Sequence, residues 1–230
     1  MSASHLVLWD IDGTLLSSGR PARVAFSAGL VHVFGTTGDI DGYRFEGKLD
    51  PMIVTELMLG AGIPADVVTS RRFEALDRYL ENLEEVLGEE PPRLKPGIAA
   101  LLAAAAKVPG TVNALLTGNV ERGARIKLSA AGLWDIFDFG VWGDEAPRRV
   151  DLGPVALRRA AERTGRSFAP AECVVVGDSR HDVETGLALG ARVVAVATGW
   201  TTADELRAAG AHDVFDDFSD HERALEVILG

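Results

Sequence analysis

Four short, almost wholly apolar runs constrain this chain most: "LVLW" at 6–9, "VNALL" at 112–116, "CVVVG" at 173–177 and "RVVAVA" at 192–197. Runs of this length, rich in aliphatic and β-branched side chains, fit strands that are covered on both faces. Helix-sized intervals lie between them, so successive strands run parallel with crossovers over the sheet. "DFGVW" at 138–142 and "DVF" at 213–215 are weaker strand candidates. The fold class expected is α/β, a doubly wound, Rossmann-like parallel sheet.

About a hundred residues separate the first two strands, far more than one crossover helix uses. Within residues 17–92, "ARVAFSAGLVHVFG", "DPMIVTELMLGAG" and "DVVTSRRFEALDRYLENLEEVLG" space apolar residues three and four apart, and the whole insert reads as helical. "GEEPPRLKPG" at 88–97 then breaks the pattern with three prolines and reads as a return linker. The expected organisation is core at 1–16, a small helical cap at 17–92, and core again at 93–230. "IAALLAAAAKV" at 98–108 is expected to be a helix packed closely on the sheet.

A chain of 230 residues can bury a substantial core in one domain or two. With 47% hydrophobic and 25% charged residues, wholesale disorder is not expected. The net charge of -11 argues against nucleic acid as a partner, since that affinity comes from cations set against phosphates. Cys173, the sole cysteine, can form no intrachain disulfide and sits inside an apolar run, which suits a buried and unreactive thiol. "MSASHLVLW" lacks a basic segment followed by a long apolar one, and no stretch approaches the roughly 18 apolar residues of a membrane span. A cytoplasmic setting is the expectation, with oligomeric state left open.

In open α/β sheets ligands bind beyond the carboxyl ends of the strands. The residues there are polar: "DID" after the first strand, "TGN" after the second, "GDSRHD" after a later one, and "PRRVD" before a helix at 152. Asp10 and Asp12, two apart in extended chain, point to one side, and Asp178 and Asp182 add two more carboxylates. Such crowding needs protons or a cation to offset it, and an all-oxygen set suits Mg²⁺. Beside that ion, Thr117, the amides of Gly118 and Asn119, and an arginine are groups that hold phosphate. One aspartate is then placed to attack phosphorus and another to exchange protons with the departing oxygen and with water.

"DIDGTLL", "LLTGN" and "VVVGDSRHD", in that order, resemble the first, second and fourth motifs of the haloacid dehalogenase (HAD) superfamily, and the insert resembles the helical cap of its phosphoglycolate phosphatase-like branch. The resemblance implies Asp10 as nucleophile, Asp12 as general acid/base, Thr117 as phosphoryl ligand, and Asp178 and Asp182 as the acidic pair at the metal. Direct metal ligands would be Asp10, the Asp12 carbonyl and Asp178. The third motif departs from the usual lysine: "APRRVDLGP" offers Arg148 or Arg149, and spacing to the helix favours Arg149. A carboxylate at Asp12 separates the chain from dehalogenating and phosphonate-cleaving members. The implied activity is a Mg²⁺-dependent phosphatase acting on a small phosphorylated metabolite. A phosphosugar mutase is the alternative within the superfamily, and a phosphate-responsive regulatory protein the alternative outside it.

Arg44, Lys48 and Asp50 fall where such relatives place a substrate-specificity loop, so Arg44 and Lys48 are candidate substrate-binding residues, with a solvated charged face as the competing reading. His181 is expected to face solvent. "GYRFEGKL" approaches a P-loop, but Leu49 stands where the Mg²⁺-binding hydroxyl is needed. "GDSRH" approaches a nucleophile elbow, but His181 replaces its closing glycine.

Overall fold

The computed structural model describes residues 5–230; the first four residues of the stretch read for a leader lie outside it. Its main sheet takes β1 (His5–Trp9), β4 (Thr111–Leu116), β5 (Phe139–Val141), β6 (Cys173–Gly177), β7 (Arg192–Val196) and β8 (Asp213–Phe215). All pairings are parallel, in the order β5-β4-β1-β6-β7-β8. This is the doubly wound α/β class, and every apolar run named above lies in it. β1 shows why: Val7 and Trp9 pack into one cluster, Leu6 and Leu8 into another, so neither face of the strand meets water. Helices α4 (Ile98–Ala105), α5 (Glu121–Ala130) and α9 (His221–Leu229) cover the first face. Helices α6 (Leu152–Thr164), α7 (Arg180–Leu189) and α8 (Ala203–Ala209) cover the second.

The chain leaves β1 for β4 on one side of the sheet and returns to β6 on the other. The crevice of such a sheet opens where these two directions part, at the carboxyl ends of β1, β4 and β6.

The insert holds α1 (Gly19–Phe34), α2 (Asp50–Gly60) and α3 (Ala65–Glu89), which coincide with the three periodic segments. Phe26, Leu30, Leu57, Met58, Leu76, Leu80 and Leu83 build a core of their own, separate from the sheet's. At about 1.5–3 kcal/mol per fully buried side chain, that core can hold three helices together.

Two details depart from the sequence reading. Residues 35–49 are not helical: Gly35 ends α1 in the left-handed conformation (φ 74°), and a loop studded with glycines and charges follows. Nor is 88–97 a plain linker. Helix α3 runs on to Glu89, and β3 (Arg93–Leu94) pairs antiparallel with β2 (Leu16–Ser17), so a two-stranded ribbon joins cap to core.

Candidate active site

β1 ends at Trp9 and releases Asp10 and Asp12 into a tight turn around Gly13. The glycine is dictated twice: its φ is 91°, and a Cβ there would stand 2.2 Å from Asp178 Oδ2. The first motif and the aspartate after β6 are thus packed into direct contact. Thr14 Oγ1 completes the seam, donating to Asp178 Oδ1 at 3.0 Å.

Asp10, Asp178 and Asp182 are all buried, and each offers an oxygen within 4.8 Å of the others'. Burial first, then repulsion from Asp182 and Asp12, raises Asp10 to about 6 despite the opposing pull of Arg149. Burial also lifts Asp178 well above the usual carboxylate range, with Asp182 and Asp10 adding to the effect. Such a cluster is short of positive charge, and its hard, anionic oxygens match what Mg²⁺ takes as ligands.

The four aspartates are not equivalent. Asp182 has both oxygens engaged: Oδ1 with Arg149, and Oδ2 with the hydroxyl (2.6 Å) and backbone N–H (3.0 Å) of Ser179, closing the N-terminal cap of α7. Asp10 keeps Oδ2, and Asp178 keeps Oδ2, free of hydrogen bonds among the described residues. The Asp12 side chain turns away from the cluster; Lys127 Nζ at 2.6 Å and Asn119 Nδ2 at 2.8 Å both donate to its Oδ2. The residues present therefore fit a metal through Asp10 and Asp178, with Asp182 behind them.

Arg149 is buried, and its Nη2 lies 2.8 Å from Asp10 Oδ1 while also pairing with Asp182. Burial alone would lower its pKa; Asp10 and Asp182 raise it instead, so the guanidinium stays charged. Arg148, by contrast, pairs with Asp151 at the surface.

Thr117 is fully buried at the end of β4, its Oγ1 accepting from Asn119 Nδ2 at 2.9 Å, which leaves its own hydrogen to donate. Gly118 is pressed against the cap: Asp50 N–H donates to its carbonyl at 2.8 Å, and a Cβ there would meet the Lys48 carbonyl at 2.0 Å.

A cleft of about 880 Å³ joins these groups to the cap; Asp10, Asp12, Thr117, Gly118, Asn119, Arg149 and Asp178 line its floor. Arg44 stands on the cap side, largely exposed, with Glu46 3.6 Å away. Lys48 also lines the cleft, but its ammonium is held by Glu56 at 2.6 Å and the Tyr43 hydroxyl at 3.1 Å. Asp50, grouped with Arg44 and Lys48 by sequence, is instead buried between cap and core, accepting from the Val120 N–H at 3.0 Å. His181 is half-buried beside a smaller recess and pairs with Glu184. Trp200 overhangs the mouth of the main cleft, largely exposed.

Lys127 is the group that motif reading passed over. The available signal was positional: it shares the buried stripe of α5 with Gly123, Ala124 and Leu128. A lysine on such a stripe needs a partner.

Residues 7–186 match the haloacid dehalogenase-like hydrolase family. A probable phosphatase, IndB, of Dickeya dadantii is 28% identical over 97% of this chain and 94% of its own length. A phosphoglycolate phosphatase of Pseudomonas putida is 26% identical over 93% of this chain and 76% of its own. Among solved structures, a predicted phosphatase from Clostridium acetobutylicum superposes with a TM-score of 0.74 at 22% identity, over 98% of this chain and all of that one. A mutant CbbY from Rhodobacter sphaeroides, in complex with xylulose-(1,5)bisphosphate, gives 0.70 at 23% identity over 94% of this chain and 96% of that one. With its fold, its strand-end aspartates and this match over most of its length, the chain belongs to the haloacid dehalogenase-like hydrolases, and it is an enzyme.

Proposed function

We propose that this enzyme is a Mg²⁺-dependent phosphatase that hydrolyses a small phosphorylated metabolite through an aspartyl-phosphate. The observation that carries the reading is the meeting of Asp10, Asp178 and Asp182, with Arg149 paired to Asp10 and Asp182, at a cleft whose floor includes Asp10, Asp178, Arg149 and Thr117. The names of the relatives agree with it, phosphoglycolate phosphatase above all.

An entering phosphomonoester sets its phosphoryl oxygens against Arg149, the Thr117 hydroxyl and the amides of Gly118 and Asn119. An Asp10 oxygen attacks phosphorus; the Asp10–phosphorus bond forms as the ester oxygen leaves, taking a proton from Asp12. A water then gives its proton to Asp12 while its oxygen bonds to phosphorus. The aspartyl bond breaks, and inorganic phosphate and the original carboxylate are restored. Bound by Asp10 and Asp178, Mg²⁺ would neutralise carboxylate charge facing the phosphate and polarise the phosphoryl oxygens. The cap, reaching the floor through Lys48 and Asp50, excludes bulk water from the intermediate.

Asp10→Asn tests this reading. The wild type should release inorganic phosphate from para-nitrophenyl phosphate and from a panel of phosphorylated metabolites in Mg²⁺, and lose that activity in EDTA; the variant should release none. Undiminished hydrolysis by the variant refutes the reading, and an isomerised sugar phosphate in place of inorganic phosphate points to the mutase.

A further inference from the structure

The α5 lysine enters none of the steps above, yet it contacts the acid/base directly. Lys127 is 5% exposed, and its Nζ donates to Asp12 Oδ2 and to Asn119 Oδ1, each at 2.6 Å. Asn119 Nδ2 donates to the same Asp12 oxygen at 2.8 Å. The three side chains form a closed triangle that fixes Asp12 Oδ2. Asp12 Oδ1 accepts no hydrogen bond among the described residues, and the side chain as a whole is 41% exposed to the cleft. One oxygen of the acid/base is anchored and the other is left open.

The anchor is not a matter of the core alone. Asp50 on α2 and Tyr79 on α3, both buried and both from the cap, line the same cleft as Lys127, and together with Asp12 they favour its charged form. Asp50 is itself locked to the floor, through Val120 N–H at 3.0 Å on its carboxylate and the Gly118 carbonyl at 2.8 Å on its N–H. Lys127 is thus bonded to the acid/base and lies in one cleft with two cap residues.

We propose that Lys127 is the positioning residue of Asp12. With Asn119 it clamps Oδ2 so that Oδ1 is presented to the leaving oxygen, and through Asp50 and Tyr79 it makes that clamp depend on the seated cap. The proposal rests on Asp12 being the general acid. A freely rotating carboxyl meets the leaving oxygen in only a fraction of its orientations, and holding it in one removes that entropic cost from the transition state.

Leaving-group dependence tests it, because proton donation matters most where the departing oxygen is most basic. The kcat/KM values of wild type, Asp12→Asn and Lys127→Met should be measured in saturating Mg²⁺ over phosphate monoesters from para-nitrophenyl to propyl phosphate. Lys127→Met should lose about 10- to 100-fold more on propyl than on para-nitrophenyl phosphate, in the direction shown by Asp12→Asn. Equal losses on both esters, with Asp12→Asn still discriminating between them, overturn the positioning role and leave the acid role standing. No discrimination by Asp12→Asn removes the acid role, and this proposal with it. Should Lys127→Met not fold by circular dichroism, Asp50→Asn and Tyr79→Phe carry the test. A several-fold steeper dependence in them supports the shared clamp, and parallel losses overturn it.

Discussion

Arg149 Nη2 lies 2.8 Å from Asp10 Oδ1 and also pairs with Asp182 Oδ1, so one guanidinium nitrogen bridges the candidate nucleophile and the capping carboxylate of α7. The planar guanidinium fixes the two hydrogens of Nη2 toward the two carboxylates while Nη1 donates to the Gly47 carbonyl at 3.2 Å, an arrangement that a rotating ammonium on a shorter stem cannot reproduce. Arg149→Lys should therefore keep the charge but lose the bridge, lowering kcat/KM about 10- to 100-fold. Arg149→Met strands buried carboxylates and should cost about 3–5 kcal/mol of stability as well as nearly all turnover. Steady-state rates and urea titrations check both, and a lysine variant at the wild-type rate would show that charge alone suffices.

Gly118 sits where the cap meets the floor, and its missing side chain is the reason they can meet. A Cβ at this position would stand 2.0 Å from the Lys48 carbonyl, which is backbone and cannot turn aside. Gly118→Ala should push the 47–50 loop off the floor and disturb the Asp50 N–H bond to the Gly118 carbonyl. A destabilisation of about 1–3 kcal/mol by thermal melting is expected, with a larger loss in kcat than a peripheral alanine would cause. A variant that melts and turns over like wild type would mean the cap seats elsewhere.

What was legible in the sequence follows from what each signal depends on. The strands show as apolar runs because a parallel strand buried on both faces has no polar side to disguise it, as Leu6 to Trp9 illustrate. The acidic ends show because the chemistry falls next to those runs. The β2–β3 ribbon does not show: two residues a side carry no periodicity, and Ser17 and Arg93 are brought together from opposite ends of the cap insert. Lys127 and Asp50 were obscured for a related reason. A charged residue on a helix reads as solvated, and these are engaged by partners 70 and 115 residues away in sequence, Asp50 by Val120 and Lys127 by Asp12.

Asp50 makes stability depend on pH in a predictable sense. Burial first raises its pKa from 3.8 to about 6, against the pull of Lys127 and the Val120 N–H. A carboxyl whose folded pKa lies above its unfolded one gives stability that is complete below the unfolded value and is lost as pH rises through the folded one. In metal-free protein the ionised Asp50 should therefore cost about 3 kcal/mol at neutral pH relative to acid. Asp50→Asn keeps an oxygen for the Val120 N–H and cannot ionise. The stability difference between variant and wild type should shift in the variant's favour between about pH 4 and pH 7. Urea titrations in EDTA across that range measure it, and a flat difference would place the titrating group elsewhere.

Asp10 and Asp178 should show the same strain, relieved by metal rather than by mutation. Both are raised by burial and by neighbouring carboxylates, so a cation must displace protons to bind them at acid pH, and it meets Asp10 increasingly ionised as pH passes about 6. At a hundredfold excess over its dissociation constant a ligand stabilises by about 2.7 kcal/mol, roughly 5–10 °C in a chain of this size. Mg²⁺ should accordingly raise the melting temperature by that amount near pH 7.5 and by much less near pH 5. Asp178→Asn can still accept the Thr14 hydroxyl, so the fold should persist while the Mg²⁺ response disappears. If Mg²⁺ shifts the melting of Asp178→Asn as much as that of wild type, the ion binds outside this cluster.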